Sequence, residues 1–527
     1  MKKNILIALF MLPLAIFAQA PGTLDTSFGN GGTVIIDNGN TDLFNDVVVQ
    51  DDQKIVAIGI TYDASFFASA QAYRFLPDGS LDMTFATNGI FTYSLNAEAN
   101  VYDVLIKEDG KILMVGSTTD YNDYRILLIQ LNENGSLDGT FGVGGVVVQK
   151  VSPITAGYFE DFGTSVAMQD NKILVAGSLR TLDFFNAPMV VRFNENGELD
   201  TTFGDDGVAT IPVIENENIF DAILVQDDGK IVASGHYAVD LLQFAMLVVR
   251  FMPDGTLDAT FGNNGQTVIP LGADAESYGM QLTAENKIVV AGFTASPQYN
   301  YDMLLMQFDT EGNLDTGFGV DGIVVSDLGN YDVASAIHIQ EDGKILVAGG
   351  TGEGPPNDVE MAVWRYMADG TADITFGVDG IAKVQILPDQ VDEALGIALQ
   401  ADGEIVIAGR ARNANDNLDF IVARMFNDLE LSTPGFIANT SQSIVPNPVT
   451  AGGNLHISYE ITEATKVQIE VYNLIGALVY VADLGYQQTG LQMLTFTVPA
   501  HMGTGIFYIR TRTEGSVSNT SKLIVTE

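Results

Sequence analysis

The side chains able to do chemistry in this 527-residue chain are of few kinds: 67 carboxylates, four histidines and no cysteine. Without Cys there is no thiolate nucleophile, no thiolate metal ligand and no disulfide. His236, His338, His456 and His501 stand too far apart in sequence for a two-histidine metal motif, and no His-Glu-x-x-His occurs. A Gly-x-Ser-x-Gly elbow, a glycine-rich phosphate loop ending in Lys-Ser/Thr and a Ser-x-Asp-x-Gly-x-Thr-Trp box are all missing. What remains is paired-carboxylate chemistry such as glycoside hydrolysis, which needs two acids converging in one cleft. The acids that can be placed are repeat or turn residues, whereas an active site should break repeat symmetry. The reading is therefore non-catalytic, with a polymer-degrading hydrolase using channel carboxylates as the alternative. His236 reads as a lone solvated side chain, with lining a site as its other possible role.

Binding has better candidates than catalysis. Tyr62, Phe66, Phe67, Phe184, Phe185, Tyr237, Tyr299 and Tyr301 fall in variable stretches at one equivalent place in a repeated pattern. Aromatic loops on a rigid scaffold suit sugar or protein recognition. The acidic turns Asp109-Gly110, Asp228-Gly229, Asp342-Gly343 and Asp402-Gly403 invite a Ca²⁺ reading, but none has the Asp-x-Asp-x-Asp-Gly spacing that wraps an ion. They are expected to be plain hairpin turns, so no cofactor or metal is expected. A charge of −43 repels phosphate backbones and anionic lipid headgroups, which excludes nucleic acid as a partner.

The elements that must carry these residues are strands. The chain is 46% hydrophobic, and its apolar runs are short, β-branched and punctuated by glycine. Leu-Asp-x-x-Phe-Gly-x-x-Gly recurs with its acid at Asp25, Asp82, Asp138, Asp200, Asp258, Asp315 and Asp373, spaced by 57, 56, 62, 58, 57 and 58. Asp-Gly-Lys-Ile-x-Val-Ala-Gly recurs with it, closing at Gly59, Gly116, Gly177, Gly235, Gly292, Gly349 and Gly409. Each repeat offers four strands, Ile90–Tyr93, Tyr102–Lys107, Ile112–Ser117 and Ile126–Asn132 in the second. Such a unit buries both faces only when packed against copies of itself around an axis. The expectation is all-β, a seven-bladed β-propeller of four-stranded blades, over an open solenoid. The repeats begin on a spare Leu24–Phe28 and end on an uncompleted strand, so the two ends should complete one blade.

A polar residue recurs in the strand before each Leu-Asp: Arg74, Gln130, Arg192, Arg250, Gln307, Arg365 and Arg424. In the first six it precedes the acid by eight residues. Two roles fit, a basic ring lining a ligand channel or a bond to the following acid that pins the turn. Constant spacing and tolerance of Gln favour the second. It pairs Arg74 with Asp82, Arg192 with Asp200, Arg250 with Asp258, Arg365 with Asp373, and Arg424 with Asp25 across the ring.

Residues 22–428 resemble the delta-60 repeat family. Glu341–Gly349 and Arg250–Gly265 are close matches to its unit, Asp-Gly-Lys-Ile-Leu-Val-Ala-Gly followed by Arg-Phe-x-x-Asp-Gly-x-Leu-Asp-x-x-Phe-Gly-x-x-Gly. The resemblance implies a β-propeller and no particular activity. The domains expected are a signal peptide at 1–20, the propeller at 21–430, a linker at 431–443 and a small Ig-like β-sandwich at 444–527. The first has Lys2 and Lys3, an apolar Ile5–Phe17 and the small residues Ala18-Gln19-Ala20, with the cut after Ala18 or Ala20. That apolar run is too short to span about 30 Å of hydrocarbon, so the mature chain is expected to have no membrane span.

In the last domain Pro446-Asn447-Pro448, the Val471–Gly476 stretch, Gly505–Arg510 and Lys522–Val525 together resemble the C-terminal sorting domain of type IX secretion substrates. The marker positions are Pro446, Asn447, Pro448, Gly476, Gly505 and Lys522. The acidic Thr526-Glu527 end departs from many members, which finish on or near a basic residue. The resemblance implies a Bacteroidota-type cell, passage across the outer membrane to the cell surface or the medium, and removal of the domain by a sortase-like peptidase. The expected partners are that machinery and a surface glycan or protein ligand.

Overall fold

A computed structural model describes residues 20–428 and 443–526, apart from 66, 96–97, 120–122, 154–160, 184, 214–217, 241–242, 273, 296–299, 355–357, 387–389, 462–464, 474–477, 488–489, 500–502 and 514–520. The chain divides into two compact units, Gln19–Leu429 and one holding Glu430–Glu527. The signal-peptide residues 1–19 and most of the expected linker lie outside the described residues.

The larger unit is a seven-bladed β-propeller. Its innermost strands are Asp42–Val49, Glu98–Ile106, Phe162–Gln169, Ile219–Val225, Asp274–Leu282, Tyr331–Ile339 and Asp392–Leu399, in blades one to seven. Each blade is an antiparallel meander of four strands. Strands rich in Val, Ile and Leu suit this packing because both sheet faces are covered by neighbouring blades. In blade one, for instance, Ile55, Val56, Ala57 and Ile58 are all buried, two facing each way. Separate apolar clusters fill successive gaps, so the core is a ring of layers.

The blade and the sequence repeat are offset by one strand. Ile90–Tyr93 pairs antiparallel with Ala68–Phe75 and so closes blade one instead of opening blade two. The turn between them folds the chain straight back, which puts the fourth strand beside the third. At the ring junction the same offset uses the N-terminus: Thr33–Ile36 pairs with Leu418–Met425 and completes blade seven.

Five of the seven blades are clamped to the next through the Arg position. Arg74 Nε donates to Asp82 at 2.9 Å, Arg192 to Asp200 at 2.9 Å, Arg250 to Asp258 at 2.8 Å and Arg424 to Asp25 at 2.8 Å, while Arg365 lies 2.9 Å from Asp373. The same guanidinium groups stack on Phe85, Phe203, Phe261, Phe28 and Phe376, 4.5–5.1 Å from the ring centres. Their third contact crosses to the following blade: Arg192 donates to the Pro253 carbonyl at 2.7 Å, Arg250 to Thr310 at 2.6 Å and Arg424 to Pro77 at 2.7 Å. Gln130 reaches Asp138 at 2.8 Å in blade two. In blade five the acid instead takes Lys287, so Gln307 does not make the expected side-chain pair. A Lys from the Asp-Gly-Lys turn stands near the acid in six blades, and this supplies charge where Gln replaces Arg.

Backbone contacts between blades follow the same path. Gly29 N donates to the Asp78 carbonyl at 2.8 Å, and Gly79, at φ +84, leaves no room for a Cβ beside Phe28. Pro21 takes the place of that acid at the junction, accepting from Gly377 N at 2.9 Å. The ring is thus closed by the contacts that join its other blades.

The smaller unit has a three-stranded sheet and a five-stranded sheet around a core that includes Leu455, Ile457, Ile469, Val471, Phe496 and Leu523. Asn447 acts as a peptide surrogate, since its amide donates to the Lys522 carbonyl at 2.6 Å and accepts from Ile524 N at 2.8 Å. Arg510 Nε donates to Glu470 at 2.7 Å and its guanidinium covers the Tyr472 ring.

Removing one partner of a buried, hydrogen-bonded ion pair costs about 3–5 kcal/mol. Arg250→Met is expected to lose that much in urea unfolding, and Arg250→Gln, which copies the residue of blades two and five, distinctly less. Equal losses would mean that the guanidinium contributes packing and not a bond to Asp258.

Candidate functional site

Seven innermost strands surround an axial cavity of about 560 Å³. Each carries a β-bulge in its first half or middle, for example between Phe44 and Asp46. The bulged residues are Asn45, Tyr102, Thr164, Asp221, Tyr278, Ser335 and Leu395, and all of them line the cavity. The residues after them are Asp46, Asp103, Ser165, Ala222, Gly279, Ala336 and Gly396. Where these are small, blades abut: a Cβ on Gly396 would sit 2.8 Å from the Asp46 backbone.

Where they are acidic they reach across to the next blade. Asp46 accepts from Val104 N at 3.2 Å, and Asp103 from Val166 N at 2.8 Å and Ser165 Oγ at 2.7 Å. Burial in the channel wall, then the neighbouring Asp103 charge, push the Asp46 carboxyl well above its usual range. Asp103 is raised too, by burial. These carboxylates converge, as paired-acid chemistry needs, but each is engaged by backbone N–H groups.

A second polar group sits at the mouth where the innermost strands begin. Asp221 and Tyr278 lie on the wall, and Glu276 accepts from Tyr278 Oη at 3.0 Å. His236 Nδ1 is 3.4 Å from Asp221 and 4.0 Å from Glu276, and its ring meets Phe244 edge-on at 5.0 Å. Burial raises both Asp221 and Glu276, opposed in each by His236. His236 is therefore not a lone solvated residue. It lies inside the strand Ile231–Asp240, whose neighbouring blade supplies Glu276.

Antiparallel alternation puts the hairpin between second and third strands of every blade at this mouth. Of the aromatic candidates, Phe66, Phe184 and Tyr299 lie outside the described residues. Tyr62, Tyr237 and Tyr301 belong to strands and not to loops, because the hairpins are shorter than their sequence variability suggests. Tyr237 packs against the core between blades. Tyr301 instead joins Phe293 at 5.2 Å and Tyr331 at 5.8 Å, and Phe293 continues to Tyr278 at 5.9 Å. Phe67 and Phe185 are half-buried in their hairpins. The structure thus gathers an aromatic arc at the mouth of which the sequence had singled out only Tyr301.

The acidic turns are used internally. Asp109, Asp228 and Asp342 accept from the amide two residues on and pair with Lys111, Lys230 and Lys344. Asp402 accepts from Glu404 N. Among the described residues the one carboxylate trio close enough to share an ion is Asp302, Asp327 and Asp332. Asp332 is fully buried and takes Leu328 N and Thr351 Oγ1. Asp42, Asp161 and Asp392 likewise accept backbone N–H groups of the segment that leads into their own blades, so Asp332 is a repeat residue of the fold.

Two titration signs follow. Asp200 and Asp258 are held at about 2, because hydrogen bonds from Thr202 and Thr260 and the facing Lys or Arg outweigh the burial that would raise them. Their stabilisation is present above about pH 4 and lost as pH falls through the folded value. Asp46 has the opposite sign, its stabilisation being full below about pH 4 and lost as pH rises through its raised value. Asp46→Asn is expected to raise Tm relative to the parent increasingly between pH 5 and pH 8. A constant offset across that range would contradict the raised Asp46 carboxyl.

The profile described as "Domain of unknown function (DUF5122) beta-propeller" matches residues 50–85, 107–141, 169–203, 226–261, 284–318, 340–376 and 400–431. That of the "Secretion system C-terminal sorting domain" matches residues 443–526. No curated protein matches the chain. Among solved structures, a protein of unknown function from Dyadobacter fermentans is 10% identical with a TM-score of 0.40, over 75% of this chain and 98% of that one. The β-xylosidase RS223 is 10% identical at TM-score 0.28, over 71% and 97%. A GH43_1 enzyme from Xanthomonas citri is 10% identical at 0.27, over 71% and 92%. Likeness at this level says nothing of what the chain does. The sorting domain addresses the chain to the type IX secretion machinery and its sortase-like peptidase, and so to the cell surface or the medium. The chain carries seven repeats of the DUF5122 β-propeller family followed by a type IX secretion C-terminal sorting domain.

Proposed function

We propose that this is a non-catalytic binding or display propeller, exported for adhesion to a surface glycan or protein through the channel mouth at the hairpin face. The observation that carries it is where repeat symmetry breaks. The opposite face repeats its Arg, Asp and Phe contacts from blade to blade. At the mouth, equivalent positions read Leu43, Asn100, Phe162, Ile219, Glu276, Val333 and Glu393. Structural selection keeps residues alike around a ring, and a single asymmetric ligand does not. Tyrosine rings beside carboxylates offer the stacking faces and acceptors that recognition of sugars or side chains uses.

The hydrolase alternative draws on the approach of Asp46 and Asp103 in the cavity wall. Against it, both carboxylates accept backbone N–H groups of the next blade, an arrangement that holds blades together without a reactant.

The full chain is to be screened against surface glycans and matrix proteins, following binding and product formation together. Saturable binding without turnover is expected, weakened about tenfold or more by Tyr278→Ala or Tyr301→Ala, as for a central aromatic contact. Turnover abolished by Asp103→Asn in a folded protein would overturn the proposal in favour of the hydrolase.

A further inference from the structure

We infer that the mouth holds a site for one cationic group, the guanidinium or ammonium of a partner protein's side chain, seated on Glu276 and Asp221 against the ring of Tyr278. The inference rests on the mouth being the binding face and adds the chemistry of what enters it.

The chain contains its own comparison. Glu276 and Glu393 occupy the same ring position in blades five and seven, one residue before Ser277 and Ala394. In blade seven the cross-strand neighbour of Glu393 is Arg410. Its Nε donates to Glu393 Oε2 at 2.7 Å, Tyr331 Oη donates to Oε1 at 2.8 Å, and the carboxylate is buried. A guanidinium belonging to the chain fills that place.

In blade five the corresponding neighbour is Phe293, which is buried and brings no charge. Glu276 keeps a tyrosine hydroxyl, from Tyr278, and has a second carboxylate close by in Asp221, with His236 facing both. Among the described residues neither acid has a Lys or Arg within ion-pair distance. Tyr278 is 39% exposed and opens onto the cavity, so the place is reachable from the mouth. Tyr278, Phe293 and Tyr301 follow one another from the cavity wall, with ring centres 5.9 and 5.2 Å apart.

Two carboxylates with a tyrosine face select a cation by charge and by the ring quadrupole. The −43 charge of the chain draws such a group toward the mouth and repels anions. A neutral sugar would gain the stacking but bring no charge to two carboxylates that, among the described residues, only His236 faces.

The test uses the full chain at low ionic strength and calorimetry with two isosteric probes, N-acetyl-arginine amide and N-acetyl-citrulline amide. Saturable arginine binding is expected, with citrulline weaker by about tenfold or more, the usual weight of a hydrogen bond to a charged group. Glu276→Gln should weaken the arginine probe by about tenfold, whereas Tyr278→Phe, which keeps the ring, should change it little. Asp221→Asn provides the same reading if Glu276→Gln does not fold, folding being checked by thermal unfolding. Equal binding of the two probes, an unchanged arginine affinity in both acid variants, or no saturation by arginine would overturn the cation site. A glycan or protein ligand lost on Tyr301→Ala but indifferent to Glu276→Gln would leave the binding face standing and this site refuted. A ligand indifferent to both would refute the face as well.

Discussion

The ring depends on one guanidinium contact made repeatedly. An Arg in the third strand is held by the acid eight residues on, lies on the Phe of the same turn and donates its remaining N–H to a carbonyl of the following blade. The acid fixes the Arg rotamer, the aromatic ring shields it, and the outward N–H is left to reach the carbonyl of the next blade. Because each contact ties blade n to blade n+1, no blade is complete alone. A chain built this way must either expose a last unfinished blade or return its N-terminus to finish it. Leu24, Asp25 and Thr33–Ile36 do the latter.

The cost of a symmetric clamp is that one face of the ring is taken up by it. Functional variety is left to the other end, where the innermost strands start and the second-to-third hairpins turn. The channel wall shows both regimes within a few residues. Gly279, Ala336 and Gly396 are small because backbones meet there, and Asp46 and Asp103 are acidic because they bridge a wider gap. One position toward the mouth, Asp221 and Tyr278 have no such duty to a neighbouring backbone and face the cavity. At the same position Asn45 and Thr164 still donate to a carbonyl of the next blade, so the freedom is local to a few blades and not a property of the whole ring.

How much of the site was legible follows from which positions the ring repeats. The Arg and Asp positions could be read because they recur at fixed spacing, and the Lys of the Asp-Gly-Lys turn could have been read by the same test, lying 27–29 residues before its acid. Asp42, Asp161, Asp332 and Asp392 also recur, but loops of unequal length precede them and hide the register. Variable loops drew attention to Tyr62, Tyr237 and Tyr301, yet only Tyr301 joins the aromatic arc, since side chains near a hairpin alternate between core and solvent. Glu276, Phe293 and Tyr331 gave no local sign. They come from separate strands of two blades, and only a shared axis brings them together.

By itself the sequence determined the period, the four-strand unit, the number of blades and the export domain, because each is written as residues at repeated or ordered positions close in the chain. Tertiary structure alone decided which strand completes which blade, since antiparallel pairing in the turn after the third strand shifts the blade by one strand from the repeat. It also decided which departures from symmetry meet. His236, an isolated letter in the chain, faces two carboxylates because Asp221 lies on the strand paired with its own and Glu276 opens the next blade. Periodicity is a property of sequence neighbours, and a site at the end of a ring's axis is made by residues about one period apart.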